Sequence, residues 1–142
     1  MRINDVIRRK GTLVVTVSPD ATVGELLELL AQHRIGALVV SSDGQAVEGI
    51  VSERDVVRHL QARGVDVLQA RVSEIMTGEV KTCDPNDSVE QLMRQMTDLR
   101  ARHIPVVVDG ALRGIVSIGD LVKYRIDELQ LERDELVGYI NT

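Results

Sequence analysis

Gly49-Ile-Val-Ser-Glu-Arg-Asp55 returns 65 positions later as Gly114-Ile-Val-Ser-Ile-Gly-Asp120. In each copy an apolar run ends in Ser-x-x-Asp, the pattern of a strand giving way to a helix. Ser is the N-cap, and Asp stands in the first turn, where the helix dipole favours a carboxylate. Working outward, Pro19 aligns with Pro85. Thr22, Val23, Leu26, Leu30 and Arg34 then align with Ser88, Val89, Leu92, Met96 and Arg100. Asp43-Gly44 aligns with Asp109-Gly110, and one inserted residue near Ala46 changes the offset from 66 to 65. Matches spread over a whole unit mark a tandem repeat.

Both copies carry the same elements. Short strands at 13–17 and 80–83 each end at a Pro-containing turn. A helix follows with apolar residues at Val23, Leu26, Leu27 and Leu30, the spacing of one buried helical face, and again at Val89, Leu92, Met93 and Met96. Each helix opens with a capping-box pattern, Thr22-x-x-Glu25 and Ser88-x-x-Gln91. Two β-rich runs come next, 37–40 with 47–51 and 104–108 with 111–116, joined through Asp-Gly. Asp-Gly between apolar runs signals a hairpin, because the turn requires positive φ. A second helix starts near Arg54 and Gly119, completing β-α-β-β-α.

A unit of about 60 residues is marginal alone, so two copies are expected to pack sheet to sheet about a pseudo-twofold axis and share one core. The expected fold class is therefore α+β, built of tandem β-α-β-β-α repeats. Residues 1–71 hold the first unit with an N-terminal segment, 72–126 the second with a linker helix at 72–77, and 127–142 a helical tail. Residues 3–9 read as the counterpart of the linker helix. Leu121, Ile126, Leu129, Leu136 and Ile140 make a stripe along the last helix that fits either the body or a second subunit.

Composition narrows the function. There is no Trp or Phe and only Tyr124 and Tyr139, so the core is aliphatic and aromatic platforms for nucleic-acid bases are missing. The net charge of −5 also argues against a phosphate backbone as partner. The basic clusters Arg8-Arg9-Lys10 and Arg100-Ala101-Arg102 read as solvated surface. Cys83, the single cysteine, excludes an intramolecular disulfide and reads as a small strand residue. With no apolar signal core and no run of about 20 apolar residues, a cytoplasmic protein without a membrane segment is expected. His33, His59 and His103 lack metal-ligand spacing, and no nucleophile stands beside a plausible base, so no catalytic site and no metal site are expected.

A motif used twice suits binding better than a reaction, which needs differentiated roles. A serine hydroxyl at a helix start can meet a ribose or phosphate oxygen, and helix N-termini favour phosphate. A carboxylate one turn on can accept from ribose hydroxyls. The doubled unit resembles a CBS (cystathionine β-synthase) domain pair, or Bateman module. The resemblance is carried by the two motifs, by Ser-Glu-Ile-Met-Thr at 73–77, by Arg-His-Ile-Pro-Val-Val at 102–107 and by Gly-Ile-Val-Ser-Ile-Gly-Asp-Leu-Val at 114–122. It covers essentially the whole chain and is strongest to small bacterial members with no other domain attached.

That resemblance implies a regulatory module rather than an enzyme, with no catalytic cofactor and two related clefts for AMP, ADP, ATP, NAD or S-adenosylmethionine, an adenine nucleotide being the expected ligand. Ser52, Asp55, Ser117 and Asp120 would hold ribose and phosphate. Ile35, Gly36 and Ala37, and Ala101, Arg102 and His103, would flank the adenine, with Thr16 and Thr82 bordering the base. Arg54 can donate to phosphate where the second motif has Gly119. The resemblance also implies a homodimer, and an unidentified protein target is compatible with it. The competing expectation is a homodimeric interaction module whose clefts are vestigial.

Overall fold

The computed structural model describes residues 1–11 and 14–141. Helix α1 (Ile3–Lys10) leads into strand β1 (Thr16–Val17), helix α2 (Val23–His33), strands β2 (Ala37–Val40) and β3 (Gly49–Ser52), and helix α3 (Glu53–Arg63). Two 3-10 turns, Val65–Gln69 and Val72–Glu74, carry the chain across. The second repeat has helix α4 (Val89–Leu99), strands β4 (His103–Val108) and β5 (Ala111–Ser117), and helix α5 (Ile118–Ile140). The expected first strand shrinks to β1, and Leu13 lies outside the described residues.

In the first sheet, β1 runs parallel to β2 with Thr16 opposite Val39, and β2 runs antiparallel to β3. The second sheet pairs β4 with β5 only. The strand expected at 80–83 is replaced by a single parallel bridge between Cys83 and Val106. Lys81 and Thr82 are exposed while Cys83 is buried, so one residue alone reaches the β1 position. It stays paired there: Cys83 N–H donates to the Pro105 carbonyl at 2.9 Å and Val107 N–H to the Cys83 carbonyl at 2.9 Å. Burial pushes the Cys83 thiol up to about 12, which keeps it protonated and unreactive. Asp109 (φ 51°) and Gly110 (φ 78°) are both left-handed, as a two-residue hairpin turn of the primed type requires.

Each helix buries the face expected from its periodicity. Val23, Leu26 and Leu30 are buried on α2, and Val89, Leu92 and Met96 on α4, while Leu27 and Met93 sit at the margins. The Thr22 cap is reciprocal, with Glu25 N–H donating to Thr22 Oγ1 at 3.1 Å and Thr22 N–H to Glu25 Oε2 at 3.2 Å. At Ser88 only half of the box forms: Gln91 N–H donates to Ser88 Oγ at 3.3 Å, while the serine hydroxyl turns to Glu90.

The interior departs from the shared core expected of the repeats. Buried apolar residues form two clusters, one behind each sheet. Each cluster lies between its sheet and the helices of the same repeat, completed by a flanking segment. On β2, Leu38 and Val40 enter the first cluster, whereas Ala37 and Val39 point to the opposite face. These two are 3% and 0% exposed, so both faces of the sheet are covered. The flanking segments exchange places. Ile3 and Val6 of α1, which precedes the first repeat, pack into the second cluster. Val72 and Ile75, which precede the second repeat, pack into the first. A 23-residue α5 continues through the tail, with Ile126, Leu129, Leu136 and Ile140 exposed.

Candidate functional site

Strand β3 delivers Ser52 to the N-cap of α3, and Asp55 stands in its first turn. Asp55 N–H donates to Ser52 Oγ at 3.3 Å, while Ser52 N–H and Oγ–H both donate to Asp55 Oδ2, at 2.8 and 3.0 Å. The second motif repeats this geometry: Ser117 N–H to Asp120 Oδ2 at 3.0 Å, and Asp120 N–H to Ser117 Oγ at 3.0 Å. Both motifs therefore cap their helices, and the capping function leaves carboxylate Oδ1 to other donors.

The surroundings of the two motifs differ. Around the first lies a cavity of about 680 Å³, a size typical of small-ligand sites. Gly36, Ala37, Ser52, Arg54 and Asp55 line it from the first repeat, and Ala101, Arg102 and His103 line it from the second. It is therefore one composite cleft. Thr77 to Lys81, except Gly78, forms a further wall. At Gly36 the two repeats come near each other: a Cβ there would lie in ordinary contact, 3.4 Å from Glu53 Oε1 and 3.7 Å from His103 Cε1.

Five cationic side chains border this cleft (Arg54, Arg58, Lys81, Arg100 and Arg102) against three carboxylates (Glu53, Asp55 and Glu79). A chain of net charge −5 thus turns a net positive wall inward at one place. Arg58 lies one helical turn beyond Arg54, on the same face, so the i, i+4 spacing was a legible signal for it. Arg100 and Arg102 belong to a cluster that reads as solvated surface in the sequence; both are exposed, yet both face the cleft. Lys81 gave no sequence signal, because only the linker's path brings it there.

The second motif is closed from the other side. Lys10, at the end of α1, places its ammonium 2.7 Å from Asp120 Oδ2 and donates to the Ile115 carbonyl at 2.8 Å. Beside it Arg9 pairs with Asp127 at 2.9 Å and lies over the Tyr124 ring at 5.4 Å. Burial raises the Asp120 pKa, but the Lys10 ammonium and the Ser117 backbone outweigh it and hold the carboxyl below its ordinary value. Burial, with Lys10 and Arg102, lowers the His103 pKa below the usual histidine range, against the opposing pull of Asp120 and Glu53. The remaining expected site residues, Thr16, Ile35, Thr82, Ser117 and Asp120, do not border the large cleft. Ile35 faces a separate groove beside α2. Asp120 borders a small pocket between α1 and α5.

The family model for the CBS domain matches residues 5–62 and again 72–127. The chain belongs to the CBS-domain family. CBS domain pairs are regulatory modules, and some bind adenosine compounds. This CBS pair is 39% identical over 146 residues to the CBS domain-containing protein CBSX3, mitochondrial, of Arabidopsis thaliana, covering 97% of this chain and 71% of that one. It superimposes on a CBS-domain-containing protein from Agrobacterium tumefaciens with a TM-score of 0.84 and 47% identity, covering 88% of this chain and 99% of the other. The CBS domain pair of protein MJ0100, solved with 5′-methylthioadenosine and S-adenosyl-L-methionine, shares the fold with a TM-score of 0.79 and 22% identity, over 90% and 98% of the two chains. Among the described residues no helix is long and apolar enough to cross a membrane.

Proposed function

We propose that this CBS pair is a non-enzymatic regulatory module whose composite cleft binds one adenine nucleotide, from among AMP, ADP, ATP and NAD. The observation that carries the reading is the position of Ser52 and Asp55 at the mouth of α3, facing a 680 Å³ cavity whose opposite wall is supplied by Arg102 and His103. Asp55 makes no ion pair among the described residues, so its free oxygen is available to ribose hydroxyls. Arg54 and Arg58 extend from the same helix to meet phosphate as charge-assisted donors. Gly36 and Ala37 line the cleft from one repeat and Ala101 and Arg102 from the other, and the adenine would lie among them. The adenosine compounds in the MJ0100 complex support this ligand class. A positive wall favours phosphorylated members of the class over uncharged nucleosides.

A ligand in this cleft touches both repeats, and it regulates if two arrangements of the pair bind it with different affinity. Thermal-shift titration with AMP, ADP, ATP and NAD tests the reading, since a ligand held by the folded state raises the midpoint by RT ln(1 + [L]/Kd). At least one nucleotide raises the midpoint, and Asp55→Ala abolishes the rise. Absence of any shift with all four would refute it. The competing reading, an interaction module working as a homodimer, is favoured by Val57 and Leu60 on α3 and Ile126 and Leu129 on α5. All four are exposed at 42% or more. Light scattering distinguishes the readings: a dimer that takes up no nucleotide supports the second.

A further inference from the structure

The two motifs have the same internal geometry but different neighbours, and the difference begins in the flanking segments. In the first repeat the chain entering the cleft is extended. Ile50 N–H donates to the Thr77 carbonyl at 3.0 Å, and Thr77 N–H to the Ile50 carbonyl at 2.9 Å. That bridge anchors Thr77, where the wall formed by Thr77, Glu79, Val80 and Lys81 begins. In the second repeat the corresponding segment stays helical to Lys10. Ile7 there takes the place of Met76: a Cβ on Gly49 would meet Met76, and one on Gly114 would meet Ile7. The carbonyl of Ile115, the counterpart of Ile50, accepts from the Lys10 ammonium instead of from a backbone amide. The same ammonium reaches Asp120.

We infer that the Lys10 ammonium, held on Asp120 Oδ2, fills the space and neutralises the charge that a nucleotide ribose would meet at the second motif, so that each chain binds one nucleotide, at Ser52–Asp55. The ammonium offers up to three donors and a full positive charge, against the two neutral hydroxyls of a ribose. It is tethered in the same chain, so it needs no free ligand to hold its place. Arg9 secures the helix end through Asp127 and Tyr124, which keeps Lys10 over the carboxylate. A duplicated binding motif is thereby divided: one copy faces a cleft, and the other ties α1 to α5.

This inference rests on the nucleotide reading of the first cleft, and calorimetric titration of the full chain with ATP and with AMP separates the two. The expected stoichiometry is one nucleotide per chain, lost in Asp55→Ala. Lys10→Ala raises it to two, and adding Asp120→Ala to that variant returns it to one. Lys10→Gln, which shortens the side chain by one bond and removes the charge while keeping a polar end, guards against a folding effect; its circular dichroism spectrum matches wild type while its stoichiometry also rises. Two nucleotides on the wild-type chain, or a single one lost in Asp120→Ala and kept in Asp55→Ala, overturn the inference and leave the proposed function standing. A Lys10 variant that folds and still binds one overturns it too. Failure of AMP, ADP, ATP and NAD alike to bind the wild-type chain overturns the proposed function itself.

Discussion

Gly49 and Gly114 hold matching places in the two repeats, yet replacing each by alanine should give opposite results. A Cβ at Gly49 would lie 2.6 Å from Met76 Sδ, 3.1 Å from Met76 Cγ and 2.9 Å from the Thr77 carbonyl oxygen. Met76 has rotatable bonds and can retreat, but the Thr77 oxygen belongs to the backbone and is held in the two-bond bridge with Ile50. Relieving the clash moves that segment. Overpacking costs about 1–3 kcal/mol, and each weakened backbone hydrogen bond adds about 0.5–1.5 kcal/mol. Restricting the unfolded chain returns about 0.4–1 kcal/mol. Gly49→Ala is therefore expected to lose about 1–5 kcal/mol net, the overpacking and the two bridge bonds together outweighing the gain.

At Gly114 the nearest atoms to a Cβ are those of Ile7 at 3.7 Å, ordinary contact. Neither glycine has positive φ, so Gly114→Ala keeps the unfolded-state gain of about 0.4–1 kcal/mol with little to offset it. Urea unfolding of the two variants, compared at equal slope, measures the difference. In thermal unfolding the pair should separate by several degrees, at roughly 2–4 °C per kcal/mol for a chain of this size. Equal midpoints, or a greater loss at Gly114, would refute the reasoning from Cβ space. Because Thr77 also lines the cleft, Gly49→Ala should weaken nucleotide binding as well.

Other substitutions probe separate layers of the structure. Leu26→Ala, at a fully buried position, should cost about 2–5 kcal/mol in urea unfolding. Val57→Ala, at a position 64% exposed, should stay within about 0.5 kcal/mol. Thr22→Ala removes a reciprocal cap and should cost about 1 kcal/mol; the half-formed cap at Ser88 should cost less. His103 is held below the ordinary histidine pKa by burial, Lys10 and Arg102, opposed by Asp120 and Glu53. The unfolded chain therefore takes up the proton first. Its contribution is present above the unfolded value of 6.5 and is lost as pH falls from there toward the lower folded value. Urea midpoints measured down through this window should drop, and His103→Gln should flatten the drop. An unchanged slope in that variant would rule His103 out as the cause.

The features legible in the sequence are those fixed by local chemistry and doubled by the repeat. Apolar spacing located α2 and α4, Asp-Gly marked both hairpins, and Ser-x-x-Asp placed the starts of α3 and α5. Local chemistry could not show which repeat supplies each wall of the cleft. Ser52 and Asp55 were identifiable as a pair, but their partners Arg102 and His103 come from the other repeat, about 50 positions away. The pairing of Lys10 with Asp120 spans 110 positions and joins residues whose individual readings were solvated charge and ribose ligand. The strand expected at 80–83 failed for a related reason. Its residues have strand propensity, but only Cys83 comes within reach of β4, and propensity yields to tertiary context.

The exchange of flanking segments imposes an order on synthesis. Every buried member of the first core lies between Val17 and Ile75, so that core can close once a contiguous stretch of chain has left the ribosome. The second core needs Ile3 and Val6 together with Val116 and Leu121. Ile3 and Val6 must therefore wait for partners more than 100 positions later in the sequence. While they wait, α1 is an unpartnered amphipathic segment, and the second repeat lacks its cover. Damage within residues 1–10 would consequently weaken the second repeat rather than the first.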